Sequence, residues 1–217
     1  ATAACTPDQN RTAAETAKLL KFSGSQAGNY LAGRQAQKNR DFGNASDFLG
    51  KALEKNPEDT TLLRNAFLSQ LAVGKIKDSV TMARKIAERH RAAPTARLIL
   101  FVDAIARDDL ANADSMLVHF PDRGFSGFIK PLMKAWVKIG MSSDGEDAIA
   151  TLAPLKEQSG LRVFYEIHAA LLMDAVGRVD KASEHYRLAT RNISRSTLRF
   201  VQGYGQHLER AGEKAQA

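Results

Sequence analysis

Side chains able to do chemistry are scattered along this 217-residue chain rather than grouped. Its five histidines are His90, His119, His168, His185 and His207. None stands four residues from another or beside a cysteine, the spacings that place two ligands on one metal ion. His168, with Glu166 and Asp174 nearby in sequence, reads as a half-buried, hydrogen-bonded residue before it reads as a general base. The one cysteine, Cys5, can form no internal disulfide, and near the chain end it is poorly placed for a positioned nucleophile. No Gly-rich phosphate loop with its lysine is present, no GxSxG and no HExxH, and Gly203-Tyr204-Gly205 fails the dinucleotide fingerprint after its second glycine. The expectation is a protein with no catalytic residues, cofactor or metal.

Composition narrows the partners. Lys and Arg number 31 against 24 Asp and Glu, a formal charge of +7. Basic residues gather at Arg84, Lys85, Arg89, Arg91 and Arg97, and again at Arg187, Arg191, Arg195 and Arg199. Those spacings fit solvated helix faces, and no aromatic platform for base stacking is interleaved with them. Nucleic acid is not the expected partner. With 44% hydrophobic and 25% charged residues the chain can bury a core. No run approaches the roughly 18 apolar residues of a membrane-spanning helix.

The elements that must position these side chains show in a period. Ala45, Ser79, Ala113, Ala148, Ala182 and Ala217 are small and lie 34, 34, 35, 34 and 35 apart, the repeat length of stacked helix pairs. Four residues after the first five come Leu49, Ala83, Leu117, Leu152 and Tyr186, and seven after come Ala52, Ile86, Phe120, Leu155 and Ala189. Three before stand Phe42, Ile76, Leu110, Gly145 and Val179. These offsets predict one buried helical stripe, and the small residue allows close approach of two helices near their turn. Five before the small residue lie Arg40, Gly74, Asp108, Ser143, Gly177 and Gly212, where the glycines suit a helix C-terminus at positive φ. Twelve before lie Gly33, Phe67, Phe101, Trp136, Ala170 and Gly205, expected to face the second helix.

These residues resemble the tetratricopeptide repeat (TPR), whose unit has a small residue in its first helix, Gly at the turn, Ala early in the second helix and a closing Pro. Gly33, Ala45, Leu49, Ala52 and Pro57 match it best, while Pro131 and Gly145 make the fourth unit irregular. The resemblance implies an all-α, TPR-like α-solenoid of about five antiparallel helix pairs over residues 26–217, closed by a capping helix from about Ser196 to Arg210. Residues 1–25 are expected to be a tail or tether with a short helix over Ala13 to Phe22. The run Ala1-Thr2-Ala3-Ala4 before Cys5 resembles a bacterial lipoprotein acylation site, with Thr2 where Leu is usual. It implies lipidation of Cys5 and a periplasmic or outer-membrane address, against the competing reading of an incidental Cys in a trimmed chain.

In that family the first helices line a concave face. Carried onto this chain, the positions fifteen, eleven and eight before the small residue include Tyr30, Arg34, Leu68, Leu71, Leu98, Val102, Ile105, Met133, Val137, Ile167 and Leu171, and Phe164 would join the lining. The middle of this groove is apolar and its ends are polar. An exposed apolar strip needs a cover. The leading expectation is an apolar segment of a partner protein, and the alternative a hydrophobic small ligand such as a fatty acid, sterol or hopanoid-like lipid. A second copy or the Ala13–Phe22 segment could also cover it, or the positions could be core. The groove lacks the Lys and Asn set with which some adaptor repeats clamp a terminal carboxylate.

Overall fold

A computed structural model describes residues 24–90, 93–142, 144–158, 160–192 and 197–213. Cys5, the Ala13–Phe22 segment, Ser143 and Ala217 lie outside the described residues. Those described form helices and turns without strands: α1 (Gln26–Lys38), α2 (Phe42–Lys55), α3 (Thr60–Ala72), α4 (Ile76–Arg89), α5 (Pro94–Ala106), α6 (Leu110–Leu117), α7 (Gly124–Ser142), α8 (Gly145–Ala150), α9 (Ala153–Lys156), α10 (Arg162–Ala175), α11 (Val179–Asn192) and α12 (Leu198–Arg210). By its contacts the chain divides into two compact units, residues 1–86 and 87–217, with the boundary inside the 26–217 span expected as one repeat domain.

The turns come out of local chemistry. At all five described turn positions the backbone is left-handed, with φ of 59° at Arg40, 77° at Gly74, 58° at Asp108, 72° at Gly177 and 82° at Gly212. Each is followed by an amide that reaches back to the helix: Asp41 to Ala36, Lys75 to Gln70, Asp109 to Ala104, Arg178 to Met173 and Glu213 to Leu208, at 2.8–3.0 Å. This is the Schellman arrangement, which satisfies carbonyls left over at a helix end. The next helix is then started by a side-chain cap in several cases. Asp41, Asp59, Asp109 and Asp144 accept the amides of Asn44, Leu62, Asn112 and Asp147. Each cap contributes about 1 kcal/mol, and the Asn44 side chain and amide hold the Asp41 carboxyl below its ordinary pKa.

In the first unit α1 packs on α2 and α2 on α3. Ala45, Leu49 and Ala52 are fully buried, and Leu62 and Ala66 join them. Gly33 sits where a Cβ would lie 2.6 Å from Leu49 Cγ, so the α1–α2 crossing is set by its missing side chain.

In the second unit α5–α6, α6–α7, α7–α8 and α10–α11 pack as successive neighbours. Ala113, Ala148 and Ala182 are fully buried, as the repeat predicts, with Leu117, Phe120, Leu152, Leu155, Tyr186 and Ala189 in the same cores. The position three before the small residue does not follow the predicted stripe: Phe42, Ile76 and Val179 are exposed. Leu110 and Gly145, at the same position, are half-buried and buried.

The fourth pair departs from the frame. Helix α7 is long, with Pro131 inside it, and its partner is broken into the short α8 and α9. It ends six residues before its small residue (148 − 142), whereas α1, α3, α5 and α10 end seven before theirs (45 − 38, 79 − 72, 113 − 106, 182 − 175). Its buried positions nonetheless lie one residue further from the small residue than the frame places them, as the spacing of 35 between Ala113 and Ala148 allows, which amounts to a rotation of α7 by about 100° relative to the repeat frame. Ala135, thirteen before Ala148, takes the place held elsewhere by the residue twelve before and packs with Leu152. Trp136, expected there, is 39% exposed instead.

Candidate functional site

The first helices of the second unit carry the densest set of exposed apolar groups. On α5, Val102 is 51% and Ile105 39% exposed, while Leu98 packs partly against Phe101 and Phe120. Helix α10 contributes Phe164 at 40% exposure, with Ile167 and Leu171 leaning on the core around Tyr186. The α7 positions named from the sequence are corrected by the rotation just described. Val137 is fully buried in the Phe101–Phe120 core and lines nothing, and Met133 packs against the same core. Leu132, Trp136 and Ile139 occupy the corresponding face, of which Trp136 is the exposed member.

Residues of α7 and α10 meet along an aromatic seam. Phe128 stands edge-on to Phe164 with ring centroids 5.1 Å apart, and Phe125, 70% exposed, extends the row. Further along, Trp136 Nε1 donates to His168 Nδ1 at 3.0 Å, and the two rings cross at 78°. An indole N–H can only donate, so Nδ1 must be the unprotonated nitrogen and Nε2 carries the hydrogen. Burial holds the His168 pKa below its ordinary value, which keeps the ring neutral and the bond made at neutral pH. The sequence placed His168 correctly as half-buried and hydrogen-bonded, but carried no sign of Trp136 as its partner.

In the first unit, Leu68 is 40% exposed and Leu71 half-buried, and Tyr30 packs against the Leu49–Ala66 core. Exposed Arg34 donates to Gln37 and Asn65, both at 3.4 Å, and Gln37 donates to Ser69 at 2.9 Å. This face of α1 and α3 is a polar network with one apolar projection.

A constellation the sequence reading missed joins three elements. Ser183 Oγ on α11 lies 2.7 Å from His207 Nε2 on α12, and His207 Nδ1 lies 3.0 Å from Asp174 Oδ1 on α10, with Arg210 also on Asp174. The order is that of a Ser-His-Asp triad. The imidazole, however, is fully buried against Tyr186, so a substrate would have to displace α12 to reach it. What the arrangement does is dock the last helix: burial, with the Asp174 charge, pushes the Tyr186 phenol well above its ordinary pKa. A second buried pair joins Glu166 to His185 at 2.7 Å across α10 and α11. Residues 33 and 19 apart give no local signal of such pairings. Among the described residues no His, Cys, Asp and Glu group is arranged to hold a metal ion.

No protein-family model matches the chain, and no curated protein matches it. Solved structures do. The chain is similar to TTC0263, a thermophilic TPR protein of Thermus thermophilus, at 18% identity and a TM-score of 0.53 over 85% of this chain and 99% of that one. It is also similar to a chain in the structure of Naa15/Naa10 bound to HypK-THB, at 17% identity and a TM-score of 0.56 over 89% of this chain. It spans 30% of that longer chain. The fold is therefore TPR-like, an all-α array of helical hairpins.

Proposed function

We propose that this chain is a protein-interaction scaffold that holds an apolar partner segment against the first-helix face of its second unit. The observation that carries the reading is the exposure of Val102, Ile105, Trp136 and Phe164 together on α5, α7 and α10. Half-exposed side chains on open helix faces suit a macromolecular cover better than a small ligand, whose sites enclose most of its surface. Burying about 400 Å² of apolar partner surface at roughly 25 cal/mol per Å² gives about 10 kcal/mol before association costs, enough for micromolar binding. The similar Naa15-containing structure is of a complex with HypK-THB.

Photo-crosslinking in cells tests the reading. Benzoylphenylalanine at position 136 should give a discrete protein adduct that the same replacement at Arg187 on α11 does not. Val102→Asp with Phe164→Asp should abolish that adduct while helicity persists. Equal labelling at both positions, or an adduct indifferent to the two aspartates, refutes the placement. An address in the bacterial cell envelope is proposed separately, supported by the small-residue run before Cys5. Incorporation of labelled palmitate that Cys5→Ser leaves unchanged would refute it.

A further inference from the structure

A recess of about 370 Å³ opens in the second unit between the first turns of α5 and α7. We infer that it is a binding site for a small anionic amphiphile, a carboxylate head on an apolar chain, distinct from the partner-binding face and independent of it. Its walls are apolar, made by Leu98, Phe125 and Ile129 with the turn at Phe120 and Pro121. Its polar side chains are two hydroxyls and a guanidinium, with no carboxylate among the residues that line it. Ser126 lines the recess with only 9% of its surface exposed, and its hydroxyl has no hydrogen-bond partner among the described residues. That hydroxyl can donate to, or accept from, a ligand oxygen that takes the place of water in the recess.

Two further donors stand at the same rim, Thr95 and Arg123, and neither has a protein partner among the described residues. Arg123 is exposed, and the neighbouring Asp122 is engaged through Oδ1 by Lys130 at 2.6 Å. The backbone adds to this charge. Helix α5 begins at Pro94 without a side-chain cap, and α7 begins after Arg123, whose side chain cannot accept. Residues of the first turns of both helices line the recess, and helix N-termini favour anions by charge and by their unused N–H groups.

The site is also held in shape. Lys130 Nζ donates to the Phe120 carbonyl at 3.0 Å while pairing with Asp122, which ties the turn onto α7. Gly127 lets that turn approach so closely that a Cβ there would lie 2.6 Å from the Asp122 carbonyl carbon. Its volume is at the small end of ligand sites, about 300–1,000 Å³, which limits the occupant to a short chain or a single ring system.

Octanoate, octanol and inorganic phosphate separate the contributions, with binding followed by chemical shifts of the Thr95, Phe125 and Ser126 amides. Saturable octanoate binding is expected, at least about tenfold tighter than octanol or phosphate. Arg123→Ala and Ser126→Ala should each weaken it about tenfold with unchanged melting, while Val102→Asp with Phe164→Asp should leave it intact. No saturable octanoate binding, octanol or phosphate binding equally well, or wild-type affinity in both recess variants overturns the inference. Loss of octanoate binding in the Val102 and Phe164 variant would overturn its independence from the partner face.

Discussion

The Trp136–His168 hydrogen bond makes acidification a test of the tautomer and of the register of α7 together. Trp136 is the only tryptophan in the chain, so its emission reports this site alone. His168 has a folded-state pKa lowered by burial, and its unfolded value is near 6.5. The stability it contributes is therefore complete above about pH 6.5 and is lost as pH falls from there to the folded pKa, by at most about 1.4 kcal/mol per pH unit for one proton. Protonating Nδ1 also removes the acceptor for the indole N–H, a bond worth about 0.5–1.5 kcal/mol. The assay is tryptophan emission titrated from pH 8 to 5 on the folded protein, with urea unfolding at pH 8, 6.5 and 5.5. Emission should change with a midpoint below 6.5, and His168→Phe should abolish that change. A midpoint at or above 6.5, an unchanged titration in His168→Phe, or stability that rises on acidification through this residue would refute the reasoning.

Other perturbations follow from the turns and cores. Arg40 holds a left-handed conformation that costs a non-glycine residue about 1 kcal/mol, so Arg40→Gly should stabilise by about 0.5–1 kcal/mol, and Asp108→Gly by less because Asp tolerates that region; urea midpoints decide. Gly33→Ala should destabilise by about 1–3 kcal/mol through its clash with Leu49, whereas Gly50→Ala in α2, where a Cβ meets nothing within 4 Å, should stabilise by about 0.5–1 kcal/mol. Val137→Asp should cost about 3 kcal/mol or more and Val102→Asp less than about 1, read by thermal melts, because the first charge is buried and the second is solvated.

The repeat was legible because its determinants are local. A small residue, a buried stripe at offsets of four and seven, and a turn five residues earlier fixed the hairpins, and the five described turns take one backbone form even where Arg40 or Asp108 stands in place of glycine. The first-helix face was legible only while the frame held. Leu68, Val102, Ile105 and Phe164 are exposed, but counting back from Ala148 assigned Val137 to the groove lining and Trp136 to the face against the second helix, whereas Val137 is buried and Trp136 exposed. The extra residue was visible as a spacing of 35, yet its location within the pair was not, and only that location decides which way α7 turns. The Ser126 recess and the His207 network were beyond the sequence because they join residues whose proximity depends on how separate helices cross.

The rotation of α7 makes chain length a variable of recognition in its own right. In a helix held between neighbours, adding one residue near its end exchanges the side chains offered to a partner without altering any of them. An insertion or deletion between α7 and α8 could thus re-specify the bound segment in one genetic step, while substitutions would have to revise an entire face.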